Sequence, residues 1–145
     1  MDSEPACKFC QIVSRALAAA IVFEDSLSLA FLDNRPLFPG HTLLIPKHHY
    51  ETLGDLPAEL AGVFFANVQL LARAVETGMH AEGSFVAINN RVSQSVPHLH
   101  VHIVPRRKKD GLRGFFWPRQ PYKDDAEMQQ AQAAIQKALV ASSDP

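Results

Sequence analysis

His98-Leu99-His100-Val101-His102-Ile103-Val104, bounded by Pro97 and Pro105, is the stretch on which the reading of this chain turns. Successive side chains of a β-strand point to opposite faces. The alternation predicts a strand over residues 98–104, with three imidazoles on one side and Leu99, Val101 and Ile103 in a core. A single histidine on a strand is usually a satisfied surface or core residue. Three at i, i+2 and i+4, opposite an unbroken apolar face, instead mark an active site. Imidazole titrates near neutrality and serves as nucleophile, base, acid or metal ligand. The rival reading is a metal centre, since histidines two apart on a strand can share one zinc.

Residues 84–88 read as a strand preceding the histidines. Asp55, Pro57 and Glu59 mark a helix start, and Leu60, Val63, Phe64, Leu71 and Val75 keep helical spacing as far as Gly78. Residues 42–45 form a strand closed by Pro46, and residues 20–23 and 27–32 form a hairpin joined at Glu24-Asp25-Ser26. Between them, residues 33–40 are a Pro-, Gly- and Asx-rich loop. Residues 7–17 read as a short helix with Phe9, Ile12 and Val13 on one side. Residues 108–123 form an arm carrying Phe115, Phe116 and Trp117. Asp124 or Asp125 then caps a last helix whose Met128, Ala131, Ile135 and Leu139 make a buried stripe. The pattern predicts an α+β fold: a five-stranded, mostly antiparallel sheet with one long helix and shorter terminal helices, residues 1–145 forming a single domain.

With 47% hydrophobic and 20% charged residues, 145 residues suffice for one globular domain with a sizeable core. A net charge of -1 gives no global bias toward nucleic acid or membrane, and neither partner is expected. Arg106-Arg107-Lys108-Lys109, the dense basic run, is either a solvated face or an attractor of an anionic ligand. No segment approaches the roughly 20 apolar residues of a membrane span, and residues 1–5 lack a signal-peptide pattern. Cys7 and Cys10 are too close and too few for a secreted disulfide framework, which points to the cytoplasm. Their C-x-x-C spacing admits three readings: a redox pair, half of a zinc site, or two small buried thiols. A redox pair of thioredoxin type needs a parallel fold that this pattern lacks, and a zinc would need histidines to complete its ligands.

The histidine stretch resembles the signature of the histidine triad (HIT) superfamily. So, in order, do Phe31-Leu32-Asp33-Asn34-Arg35-Pro36, Pro39-Gly40-His41-Thr42, Ile45-Pro46-Lys47-His48-His49 and Gln94-Ser95-Val96. The resemblance spans about residues 7–117, is nearest to the Hint-like and bacterial branch, and leaves residues 118–145 as a C-terminal arm and helix. It implies a HIT-like fold, a homodimer and a purine nucleotide substrate. It also implies release of a nucleoside monophosphate from a phosphoramidate or polyphosphate. His100 would be the nucleophile, forming a nucleotidyl-histidine that water cleaves. His102 would bond phosphate oxygens or protonate the leaving group, and His98 would complete the catalytic set. For His100 to attack through one nitrogen the other must keep its proton, which a backbone carbonyl would secure. Asp33 would hold the ribose hydroxyls, although its surroundings also suit a plain turn.

Asn89, Gln94 and Ser95 match phosphate-contacting positions of the family, while Val22, Phe31, Leu43 and Ile45 line either the base or the core. The family's chemistry requires no cofactor. Some bacterial members pair such cysteines with two histidines, which implies a structural zinc site at Cys7, Cys10, His49 and His98. Two departures stand out. Asn89-Asn90-Arg91-Val92-Ser93-Gln94 lacks the usual glycines, so Asn89 and Asn90 compete for one role; Gly114 to Arg119 differs from the short family C-terminus, so leaving-group preference does not carry over. Two other functions remain: a nucleotide-binding regulatory protein with incidental hydrolysis, and a metalloenzyme with zinc on the triad itself.

Overall fold

The structure, a computed structural model, describes residues 3–113 and 118–143; Phe115, Phe116 and Trp117 lie outside the described residues. Five strands, β1 (Ile21–Glu24), β2 (Ser28–Leu32), β3 (Thr42–Pro46), β4 (Gly83–Ala87) and β5 (Val101–Arg106), form one sheet in the order β1-β2-β3-β5-β4. Every pairing is antiparallel. Among the described residues the α-helices are α1 (Lys8–Val13), α2 (Ala58–Gly78) and α3 (Asp125–Ser143), with a 3-10 turn at Leu53–Asp55. The α+β architecture expected from the sequence is the one found.

Both faces of the central strands are covered. Ala30 of β2, Leu44 of β3 and Val101 and Ile103 of β5 pack with Phe64, Val68, Leu71 and Val75 of α2. Their neighbours Leu29, Phe31, Leu43 and Ile45 point the other way, against Cys7, Phe9, Cys10 and Ile12 at α1. Phe31, Leu43 and Ile45 are therefore core residues, while Val22 is 51% exposed. Within the 21-residue α2, an 18-residue window of mean hydropathy 1.3 does reach the length and apolarity of a membrane span, contrary to the expectation from sequence; its buried stripe marks it as the core helix of the sheet. Val63, predicted on that stripe, is 55% exposed; Phe65 and Leu70 are exposed beside it, at 39% and 49%.

Strand boundaries shift where hydrogen bonds go elsewhere. Leu99 N–H donates to Tyr50 O at 2.6 Å instead of joining a ladder, so β5 begins at Val101 and not at His98. The alternation nevertheless holds, because Leu99 shares the α2 core with Val101 and Ile103. Pro105 lies inside β5, opposite Ser84, at a position past the start of β3, where no second neighbour needs its missing N–H. Helix α1 stops before residue 17 because Arg15 adopts a left-handed backbone (φ 68°).

The chain divides into two compact units, residues 1–110 and 111–145. The second holds α3 as its one helix among the described residues, with no opposing layer of its own. The stripe predicted as buried is accordingly open: Met128, Ile135 and Leu139 are 48%, 63% and 63% exposed. The basic run sits at the far end of β5, about 13 Å along the strand from His102. Arg106 pairs with Asp110, Arg107 donates to Met79 O, and Lys108 reaches Glu82.

Candidate active site and metal centre

His100 is 3% exposed, and its Nδ1 lies 2.7 Å from the main-chain carbonyl of His98. A carbonyl only accepts, so Nδ1 carries the proton and Nε2 keeps its lone pair. This is the carbonyl that the sequence could not reveal. Phe9 of α1 stands edge-on to the His100 ring at 5.0 Å between centroids. Burial lowers the His100 pKa, which keeps the ring neutral.

A second tautomer follows from a chain of donors. Leu37 N–H donates to His41 Nδ1 at 3.1 Å, so the proton of neutral His41 sits on Nε2. That Nε2 lies 2.9 Å from His102 Nδ1, which must accept; the His102 proton is therefore on Nε2, free for a ligand. Burial lowers the His41 pKa despite the nearby Asp33. Burial, then the His100 and His41 rings, take His102 to about 4. Asp33 Oδ1 accepts from Arg35 N–H at 2.9 Å, forming the turn, while Oδ2 lies 3.7 Å from His41 Nε2. Asp33, His41 and His102 cluster closely enough to suggest a metal site. Leu37 N–H on Nδ1 obliges neutral His41 to carry its proton on Nε2, the nitrogen that faces the cluster, so the arrangement is a proton-ordered His41–His102 hydrogen bond with Asp33 beside it. The sequence reading leaves His41 without a role. Its signal is strand parity: His41 shares the side of Leu43, which pairs with His102.

The other histidine of the triad faces thiols. His98 Nδ1 lies 3.5 Å from Cys7 Sγ and 3.6 Å from Cys10 Sγ, and His49 Nδ1 lies 3.3 Å from Cys10 Sγ. Tetrahedral zinc, with Zn–S of about 2.3 Å and Zn–N of about 2.0–2.1 Å, sets sulfur and nitrogen roughly 3.5 Å apart. Cys7 N-caps α1 and its Sγ accepts from Cys10 N–H at 3.5 Å, so the helix turn itself brings both thiols together. His98 Nε2 donates to Pro46 O at 2.8 Å, which leaves Nδ1 unprotonated toward the sulfurs. Burial, opposed by that hydrogen bond, brings His98 to about 4. Burial also pushes the Cys10 thiol up. The donor set fits a metal, and four protein ligands would leave no open position on it for water.

Gln94 donates to Glu51 O at 2.7 Å and accepts from Arg91 N–H at 2.8 Å, while Asn90 Oδ1 accepts from Leu53 N–H at 2.9 Å. Both side chains fasten the loop to the segment after His49. Asn89, half-buried, has no side-chain hydrogen bond among the described residues. Arg91 and Ser93 adopt left-handed backbones (φ 65° and 61°), which is how a glycine-free loop makes its turns. Ser95 lines a cavity of about 450 Å³ with Cys7, Lys8, His49 and Glu51, on the thiol side.

A HIT domain model matches residues 14–109, and the chain belongs to that family. It is 37% identical over 140 residues to the "Protein hit" of Bacillus subtilis, covering 94% of this chain and 96% of that protein. Identity to the adenosine 5'-monophosphoramidase HNT1 of Saccharomyces cerevisiae is 35%, over 81% of this chain and 73% of the yeast protein. For the adenylylsulfatase HINT3 of Arabidopsis thaliana it is 33%, over 73% of this chain and 55% of that protein. The family thus includes nucleotide hydrolases. Among solved structures, a Streptococcus mutans protein superposes with TM-score 0.85 at 35% identity, covering 94% of this chain and 87% of the other. A zinc-bound histidine triad protein of Mycobacterium smegmatis superposes with TM-score 0.70 at 39% identity, covering 89% and 97%.

Proposed function

We propose that this protein is a nucleotide hydrolase or transferase that releases a nucleoside monophosphate from a phosphoramidate or polyphosphate through a nucleotidyl-His100 intermediate. The observation that carries the reading is the hydrogen bond from His100 Nδ1 to His98 O, which leaves Nε2 as a buried, neutral nucleophile. Attack by that lone pair forms an N–P bond while the bond from phosphorus to the leaving group breaks. The leaving group departs with the bonding pair and takes a proton from solvent, which is returned when water attacks the adduct. The ring of the adduct is cationic and retains its Nδ1 proton against the carbonyl. Water then displaces His100, which returns neutral, and the net reaction consumes one water.

His102 Nε2–H supplies a hydrogen bond to the phosphate oxygens, held in that tautomer by His41. Asp33 Oδ2 serves the ribose, and Asn89 and Ser95 serve the phosphates; Gln94 contributes chiefly by holding their loop. The substrate base is a purine, as in the phosphoramidase and adenylylsulfatase relatives. The protein works as a cytoplasmic homodimer, in a compartment that keeps Cys7 and Cys10 reduced. The dimer forms through the outer face of α2 and the β4 edge, where Val63, Phe65, Leu70 and Val86 are exposed.

The test is intact-protein mass after an acid-free quench of the chain mixed with adenosine phosphoramidate, beside His100→Ala. A transient adenylyl shift in the parent and none in the variant is expected. No product from the parent, with AMP still bound, would turn the assignment to a nucleotide-binding regulatory protein.

A further inference from the structure

Each member of the Cys7–Cys10–His49–His98 cluster either bears, or lies within two residues of, a group that holds the His100 ring or its carbonyl partner. The main-chain carbonyl of His98 accepts the Nδ1 proton of His100. The peptide bearing that carbonyl is held from its other side, because Leu99 N–H donates to Tyr50 O at 2.6 Å, and Tyr50 follows His49 directly. Cys7 and Cys10 flank Phe9, whose ring meets His98 at 5.9 Å and His100 at 5.0 Å, both edge-on. The His98 ring has no freedom of its own: Nε2 is bonded to Pro46 O, Nδ1 faces both sulfurs, and the residue is fully buried. A shift of α1 or of residues 48–50 must therefore move the carbonyl, the aromatic wall, or both.

We propose that Cys7, Cys10 and His49, with Phe9 between the thiols, are positioning residues for the nucleophile. When a metal joins the cluster it locks the His98–Leu99 peptide, and through it the Nδ1–H tautomer of His100. The idea rests on the proposed function only in taking His100 as nucleophile. The tautomer itself is a property of the chain and is readable without turnover. In water a neutral imidazole favours the Nε2–H form, so a loosened carbonyl lets His100 drift to the tautomer in which Nε2 cannot attack. Displacements of about 1 Å at a reacting group cost on the order of 100-fold, and loss of metal-supporting groups costs roughly 10–100-fold.

The experiment reads the His100 ring by long-range ¹⁵N–¹H NMR, together with kcat and KM for adenosine phosphoramidate, AMP affinity and bound zinc. The samples are the wild-type chain, zinc-loaded and chelator-stripped, a Cys7→Ala/Cys10→Ala variant, and Phe9→Leu. In the loaded wild type, His100 is expected as a single Nδ1–H tautomer. In the stripped chain and the double variant the Nε2–H form should appear, and kcat should fall roughly 10–100-fold with AMP affinity changed less than about threefold. Phe9→Leu should keep its zinc and still lower kcat. A folded double variant, or a stripped wild type, that keeps the Nδ1–H tautomer and kcat within about twofold overturns the proposal. Should the double variant not fold, stripping and reloading the wild type decides the matter alone. Absent turnover with an intact, metal-dependent tautomer would instead sink the proposed function and leave the positioning role standing.

Discussion

His41 Nε2 and His102 Nδ1 lie 2.9 Å apart, and the proton between them belongs to His41. Leu37 N–H, on the far nitrogen of His41, dictates that ownership. The relay is built from one turn and one strand, yet it fixes which nitrogen of His102 meets a substrate. In a Ser-His-Asp triad, loss of the tautomer-fixing partner lowers kcat by about 10⁴-fold. His41→Ala is expected to lower kcat roughly 100-fold or more by the same logic, with AMP affinity little changed. Steady-state kinetics beside calorimetric AMP titration checks this; an unaltered kcat would remove His41 from the site.

Gly40 is required twice over. Its φ is +95°, and a Cβ built there would lie 2.5 Å from Met79 Cγ. Gly40→Ala should destabilise the fold by about 1–3 kcal/mol and reduce turnover by displacing His41. Adding Met79→Ala should recover the steric part and leave the backbone strain. Urea denaturation of both variants separates the two contributions; identical midpoints would show that the clash is absorbed without cost.

Asp25 pins the β1–β2 turn to α2. Burial would raise its pKa, but bonds from Ser28 N–H, Asn67 Nδ2, Leu27 N–H and the Ser28 hydroxyl win and hold it below the usual carboxylate value. A depressed native pKa stabilises the fold above the unfolded pKa, and this stabilisation is lost as pH falls through the native one. Asp25→Asn should therefore cost about 1 kcal/mol at pH 7. The difference from wild type should shrink below about pH 4, near the unfolded aspartate value. Denaturation curves at pH 7 and about pH 3 measure the gap; a gap that does not change with pH contradicts the charge-based account.

Leu70→Glu on the outer face of α2 places a charge on the proposed dimer interface while leaving the core stripe intact. Sedimentation should report a dimer for the parent and a monomer for the variant at micromolar concentration. A parent that sediments as a monomer removes the interface altogether.

Much of this fold was legible because its strands carry the period of two. Leu99, Val101 and Ile103 fell on the α2 side as their spacing required. The helix α2 was legible too, except that Val63 lies outside its buried stripe. What the sequence could not carry is direction. The His98 carbonyl, the Leu37 amide behind His41 and the Tyr50 carbonyl that takes Leu99 out of the ladder are main-chain groups that every residue possesses. Their aim is set by tertiary structure. The α3 stripe misled for a complementary reason: spacing shows that Met128, Ile135 and Leu139 share a face, but not that anything in their own unit covers it.

Cys7 and His98 stand 91 positions apart in the chain, and they meet. Closing so long a loop is entropically slow and gains little until the intervening strands are paired. During synthesis, the amino-terminal thiols must wait for almost the whole sheet before their partner emerges. Recovery of the activity proposed for His100 is thus expected to come late in refolding, trailing the return of secondary structure, and would serve as a clock for the last step of assembly.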